Sequence, residues 1–273
     1  MKLTHLFTFG AAVLMCAPMA LAHEFWIEPP EFQVQNDQPF VADLRNGQLF
    51  EGTRQSFFED RNTRFEVIMG DGTAPITGRM GDRPAIQLPA PERDGLMILA
   101  HEAAPSTLTY KEWPKFMTFV EHKDFKDAEA IHDARGWAKE GFKEVYTRHS
   151  KSLVAVGDGA GADKKLGMVT EFVAQDNPYA PDFDGTLNVT LFYNGAPRAD
   201  AQIEVYERDT EDNVTVTLTR TDMQGLATIP VKDGMEYLLD AVVLRPVDGA
   251  TTVEAGPVWE TLWASMTFAV PLR

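Results

Sequence analysis

The sequence predicts a mainly β protein: two immunoglobulin-like or transthyretin-like β-sandwich units with a short helical insertion between them. Three observations carry this expectation. Apolar runs of strand length, bounded by turn residues, recur from Phe25 to Ala100 and again from Met168 to Val270. Between them, after Tyr110, the apolar spacing changes to a helical period. The only cysteine, Cys16, lies near the start, so no disulfide staples the remainder. The expected division is a signal peptide over 1–22, a sandwich over 23–110, a helical insertion or cap over 111–150, and a second sandwich over 151–273.

The first segment reads as an export signal. Lys2 precedes an apolar run from Phe7 to Met19, and Ala20-Leu21-Ala22 is a small-x-small cleavage site. The run is too short to span a membrane, and no later run approaches that length. The bulky Met15 before Cys16 makes a poor lipoprotein site. Cleavage after Ala22 makes His23 the first residue of the mature chain, in a periplasmic compartment.

Strands are then expected around Phe25 and Ile27, over Phe40–Leu44 ending at Asn46-Gly47, and over Arg64–Met69. The last of these enters a hairpin at Gly70-Asp71-Gly72. Ala85–Leu88 follows, and Gly95–His101 is apolar enough to be central. Thr109 and Glu112 have capping-box spacing, and Pro114 fits a first helical turn. Trp113, Phe116, Met117 and Val120 then share one helix face. Two more helical pieces are expected, over Asp127–Arg135 and Glu140–His149. Strand character returns at Ser152–Val156, followed by a glycine-rich turn at 157–161 that lacks the ligands of a phosphate or calcium loop. In the last third, Leu187–Tyr193, Asn194-Gly195 and Ala201–Tyr206 read as a hairpin. Strands at Val214–Thr219, Ala227–Val231, Glu236–Leu244 and Ser265–Val270 complete a small Greek-key sandwich.

Charge limits the function classes. The formal net charge is −16 over 273 residues, and loss of Lys2 with the signal makes the mature chain more acidic still. Such a chain repels nucleic acid and anionic lipid. No hydrolase motif is present. His101-Glu102 and His23-Glu24 both lack the second histidine one turn later that a zinc protease needs, and there is no G-x-S-x-G elbow. The chain is therefore not expected to be an enzyme.

What remains is a set of nitrogen and oxygen ligands. A free amine and the imidazole of a mature His23 close a six-membered chelate on one metal ion. His101 ends a buried-looking strand with Glu102 beside it, and His122 ends the first helix. His23, His101, His122 and Glu102 are the candidate metal ligands. Such a site suits copper, nickel or zinc rather than calcium or magnesium. His132, beside Asp133, is expected to be solvated, and His149 to be a core-edge residue. Phe25, Trp26 and Phe32 read as core rather than as a sugar platform.

Several blocks also carry a family resemblance: His23–Glu28, His101–Tyr110, His122–Asp124, Tyr146–Arg148 with Ser150–Leu153, and Trp259–Phe268. In these the sequence resembles an exported bacterial family of unknown function associated with periplasmic nickel/cobalt uptake. The resemblance implies a periplasmic two-part β protein whose second part is similar to carboxypeptidase-regulatory or immunoglobulin-like sandwiches. It implies capture of a divalent transition metal, nickel or cobalt, for inner-membrane transporter components. The alternatives are a copper redox centre at His23, or a metal-free module that binds a protein or glycan.

Overall fold

Phe142–Val156 forms one strand of 15 residues on which the molecule is assembled. The computed structural model describes residues 23–273; the expected signal peptide lies outside the described residues. The strand pairs antiparallel with Ser106–Tyr110 over its first five residues and with Gly95–Ala103 at its end. Along its other edge Pro257–Ala269 runs parallel to it from Lys143 to Ser152. Gln33–Val34 continues that edge at Ala155 and Val156.

This corrects the helix expected over Glu140–His149. Phe142, Val145, Tyr146 and His149 do fall at helical spacing. Phe142 and Glu144 are also buried at a spacing of two, and Val145, Tyr146 and Thr147 favour the extended backbone. With a partner on both edges, the segment satisfies its amides in a sheet.

From this strand one ten-stranded sheet extends in both directions. On one side come Gly95–Ala103, Asn62–Met69 and the edge strand Gly72–Pro75. On the other come Pro257–Ala269, Glu236–Pro246, Gln202–Arg208 and the edge strand Val214–Arg220. The boundary expected between 150 and 151 therefore falls inside a continuous strand, and the two sandwich halves share a sheet.

Two four-stranded sheets complete the sandwich. One holds Glu24–Glu28, Phe40–Gln48, Glu51–Gln55 and Ile86–Leu88. The other holds Thr170–Ala174, Thr186–Tyr193, Ala196–Pro197 and Leu226–Pro230. One apolar core runs through both halves, from Phe25, Ile27 and Leu44 to Leu191, Met266 and Phe268. Trp26 and Phe50, from the N-terminal sheet, pack on Tyr206 and Leu238 of the C-terminal strands. The aromatic residues Phe25, Trp26 and Phe32 are core.

Turn chemistry accounts for two further differences. Asn194 and Gly195 both take the left-handed conformation of a hairpin turn. The turn closes Thr186–Tyr193 only onto Ala196–Pro197. The next strand, Gln202–Arg208, crosses to the large sheet and pairs with Val214–Arg220 and Glu236–Pro246. At the other site, the strand expected to end at Asn46-Gly47 runs on to Gln48 and returns through Leu49 and Phe50, both at positive φ. A non-glycine residue is disfavoured there. Phe50 offsets the cost by burying its ring edge-on to Trp26, 5.6 Å away, with Arg208 4.1 Å over it.

Two helices, α1 (Trp113–His122) and α2 (Ala128–Ala134), cap one end of the sheet. Pro114 sits in the first turn of α1 as expected, but Thr109 makes no cap because it belongs to a strand. Phe116, Phe119 and Val120 of α1 pack with Tyr110, Phe142, Trp259 and Trp263. Each large side chain contributes roughly 1.5–3 kcal/mol on burial, so this cap is fixed to the sheet.

Candidate ligand-binding site

In an extended strand, alternate carbonyls share an edge. One edge of Glu24–Glu28 pairs with Phe40–Gln48. The carbonyls of His23, Phe25 and Ile27 accept instead from side chains of the two parallel central strands. Arg148 Nη2 donates to His23 O at 3.1 Å. Ser150 Oγ and Ser265 Oγ donate to Phe25 O at 3.1 and 2.7 Å. Thr267 Oγ1 donates to Ile27 O at 2.7 Å. These buried hydroxyls bind this segment along its free edge, and with Arg148 they fix where His23 lies.

His23 stands at the lip of a cleft of about 550 Å³. The central strand supplies Glu144, Tyr146 and Arg148, which share one face because strand side chains alternate. Trp263 comes from the neighbouring strand, Asn46 from the N-terminal sheet, Thr107 to Lys111 from the approach to α1, and Lys115 from its first turn. Lys111 and Lys115 are exposed at the rim.

The charges of this cleft are unequal in availability. Arg148 lies 4.7 Å from the Tyr146 ring and 5.6 Å from Phe25, and its Nε is buried without a protein partner. Burial lowers its pKa, since desolvation disfavours the charged form. Glu144 is 1% exposed and fully engaged. Tyr110 Oη donates to its Oε2 at 2.9 Å, Thr261 Oγ1 donates to its Oε1, and Trp263 Nε1 donates to Thr261 Oγ1 at 3.1 Å. Burial pushes Glu144 up to about 7, although both hydroxyls oppose the shift. Asn46 Oδ1 is also buried without a partner.

Beside the cleft lies a buried ionic cluster. Lys123 Nζ, just past the end of α1, is 2.9 Å from both Glu204 and Asp240 and 3.8 Å from Glu24. It also sits 4.9 Å from the Trp263 ring. His122 Nε2 is 3.0 Å from Glu204 Oε1. Burial raises Glu24 to about 7 and Asp240 to about 6. Burial alone would raise Glu204 as well, but bonds from His122, Lys123 and Tyr206 outweigh it and hold Glu204 at about 2. Glu24 thus ties the residue after His23 to the helical cap.

The sequence-derived ligands occupy different settings. His23 lines the cleft. His101 is buried, with Nε2 2.8 Å from Asn62 Oδ1 and its ring 5.3 Å from Phe25 and 4.9 Å from Phe65. Burial depresses its pKa to about 3, so it is neutral. Glu102 is partly buried and 3.6 Å from Arg64. His122 belongs to the Lys123 cluster. Neither His101 nor His122 lines the cleft with His23. Among the described residues, no three His, Cys, Asp or Glu side chains are grouped to hold a metal ion.

His132 corrects an expectation: it is fully buried, accepting from Trp259 Nε1 at Nδ1 (3.1 Å) and bonded through Nε2 to Ala138 O (3.2 Å). The aromatic residues of the cap enclose it despite its charged sequence neighbours. His149 is buried, bonded to Trp263 O at 3.0 Å, and lies on the central strand rather than a helix. Sequence reasoning missed Glu144, Tyr146, Arg148 and Asn46. Their period-two spacing would have revealed the first three as one face.

The family model described as a domain of unknown function, DUF4198, matches residues 20–245. That description does not extend to nickel or cobalt uptake. Among solved structures, the D0-D1 domain of intimin aligns at 10% identity over 89% of this chain and 97% of that one, with a TM-score of 0.21. A tetra-tandem repeat in the extending region of a large adhesion protein aligns at 10% identity over 90% and 49%, with a TM-score of 0.19. Salmonella alpha-2-macroglobulin reacted with methylamine aligns at 13% identity over 94% and 16%, with a TM-score of 0.23. No curated protein matches the chain. No helix among the described residues is long and apolar enough to cross a membrane.

Proposed function

We propose that this chain, which belongs to the DUF4198 family of domains of unknown function, is an exported β-sandwich binding module that holds a small ligand in the cleft at His23. One observation carries the reading. The blocks His23–Glu28, His101–Tyr110, Tyr146–Leu153 and Trp259–Phe268 are far apart in sequence, and all four contribute to the cleft or to the bonds that fix its lip. The module is non-catalytic in this reading, and it acts in the periplasm.

A second reading is transition-metal capture for an uptake system, with nickel, cobalt, copper or zinc held by the amine and ring of a mature His23. It is favoured by the clamp on the His23 carbonyl, which holds the chelating residue at the cleft mouth. The chain then supplies His23 alone there, and the remaining positions fall to the cargo's own ligands or to water.

The test begins with the intact mass of protein recovered from the periplasm, which must give His23 as the first residue. Thermal-shift titration follows, with organic acids, sugars and each divalent ion, on wild type and on a Trp263→Ala chain. A ligand that raises the wild-type midpoint and not that of the variant supports the module. A retained or titrated ion, lost in His23→Ala, moves the assignment to metal capture. A midpoint unmoved by every class overturns the binding reading.

A further inference from the structure

We propose that the ligand of this cleft is a small organic acid whose carboxylate is held by Arg148, an inference that rests on the cleft being a ligand site. The guanidinium projects from the central strand between Tyr146 and Phe25, at 4.7 and 5.6 Å from their ring centres. Stacking of this kind fixes the plane of the donor fork. Nη2 is taken up by the His23 carbonyl, and Nε is buried without a protein acceptor. Nε is closed to solvent, and Nη1 makes no bond to the protein among the described residues; an incoming carboxylate meets the guanidinium at that free edge, where it accepts a charge-assisted bond.

The surroundings select the same charge. Lys111 and Lys115 stand at the rim. Among the described residues the one carboxylate lining the cleft, Glu144, is buried and accepts from Tyr110 and Thr261, so it makes no direct bond to Arg148. On a chain of formal charge −16, Arg148, Lys111 and Lys115, the last 3.6 Å from Glu112, gather cationic groups at the cleft mouth, which attracts a small anion. Asn46 also lines the cleft, and its side-chain amide can bond a polar group of the ligand in either sense. A hydroxy or amino acid uses this contact and a plain carboxylate does not. Tyr146 and Trp263 supply ring faces for its carbon skeleton.

Isothermal titration on the mature chain at low salt tests this. The probes are L-malate, succinate, glycerol 3-phosphate, inorganic phosphate and glycerol. Malate is expected to bind, and more tightly than succinate. Arg148→Gln is expected to weaken malate at least tenfold, and Arg148→Lys also, because an ammonium lacks the fork. Since Arg148 also anchors His23, a Lys111→Ala/Lys115→Ala chain provides a control that leaves the strands untouched. Its malate affinity should fall by a smaller factor and lose part of its salt dependence. Asn46→Ala should reduce the preference for malate over succinate. Tighter binding of either phosphate than of malate overturns the carboxylate assignment. So does glycerol binding that is indifferent to Arg148→Gln, or the absence of heat with malate and succinate alike. In those cases a sugar or ion found by thermal shift would leave the cleft standing as a ligand site, whereas failure of the cleft itself is a midpoint unmoved by any compound class.

Discussion

At the scale of single residues, Lys123 is a buried cation that faces three carboxylates. The residue is 7% exposed, and its ammonium faces Glu24, Glu204 and Asp240. Burial alone would lower its pKa, but the three carboxylates outweigh this and raise it. Buried ion clusters gain little over well-packed apolar groups, yet removing one partner leaves uncompensated charge, which costs about 3–5 kcal/mol. Lys123→Met should therefore destabilise the chain by that order, read as a lower urea midpoint at neutral pH. Asp240→Asn introduced into the Lys123→Met chain should recover part of the loss, because it removes one of the orphaned charges. The double-mutant cycle then gives a coupling well above the few tenths of a kcal/mol expected of independent sites. Additive losses would mean that Lys123 acts through packing on Trp263 alone.

At the scale of elements, the first strand illustrates what period and propensity can and cannot reveal. Its carbonyl edge is held by hydroxyls rather than by a ladder, and those hydroxyls are not redundant to the same degree. Phe25 O lies within reach of two hydroxyls, Ser150 and Ser265, which are 2.9 Å apart, so either one can donate to it. Ile27 O has Thr267. Thr267→Val, nearly isosteric, should cost about 1–3 kcal/mol by leaving a buried carbonyl without that donor. Ser265→Ala should cost less, since Ser150 remains. Equal midpoints in thermal unfolding for the two variants would sink this ranking. The strands themselves were legible from alternation: Gly95–His101, Arg64–Met69 and Val214–Thr219 lie close to where their apolar and β-branched residues put them. Phe142–His149 misled because its apolar residues satisfy both periods. Only the long-range partners at 106–110 and 257–266 decide between them. The cleft was legible only at His23. Period two puts Glu144 and Arg148 on one face, but that this face lines a cleft with Trp263 and Asn46 depends on pairings between residues far apart in sequence, which no local pattern encodes. His132 misled for the related reason that its aromatic enclosure is drawn from α1, the central strand and Trp259.

At the scale of the whole molecule, the shared sheet makes the fold a single electrostatic unit whose stability depends on pH through groups at its centre. Glu144 folds into a site that holds its carboxyl near 7, well above the ordinary value of 4.5, chiefly because burial disfavours the carboxylate. The native chain therefore keeps a proton there that the unfolded chain has released. The sign follows from linkage. The contribution is fully present below pH 4.5 and is lost as pH rises through about 7, by about 3 kcal/mol in all. Glu24 and Asp240, raised to about 7 and about 6, act in the same direction. Glu204, held at about 2, and His101, held at about 3, act in the opposite one. Their native sites favour carboxylate and neutral imidazole, so stability is lost as pH falls below the ordinary values toward those of the fold. The net profile of the wild type mixes these limbs, and Glu144→Gln isolates one. The amide keeps the shape and cannot ionise, so between pH 5 and pH 8 wild type should weaken relative to the variant by roughly three-quarters of that amount, the rest being lost below pH 5. Urea midpoints across that range measure the gap directly. A gap that stays constant would place an ionised Glu144 in the fold at pH 5, and the Tyr110 and Thr261 hydroxyls would then be stabilising a buried carboxylate rather than bonding to a neutral acid.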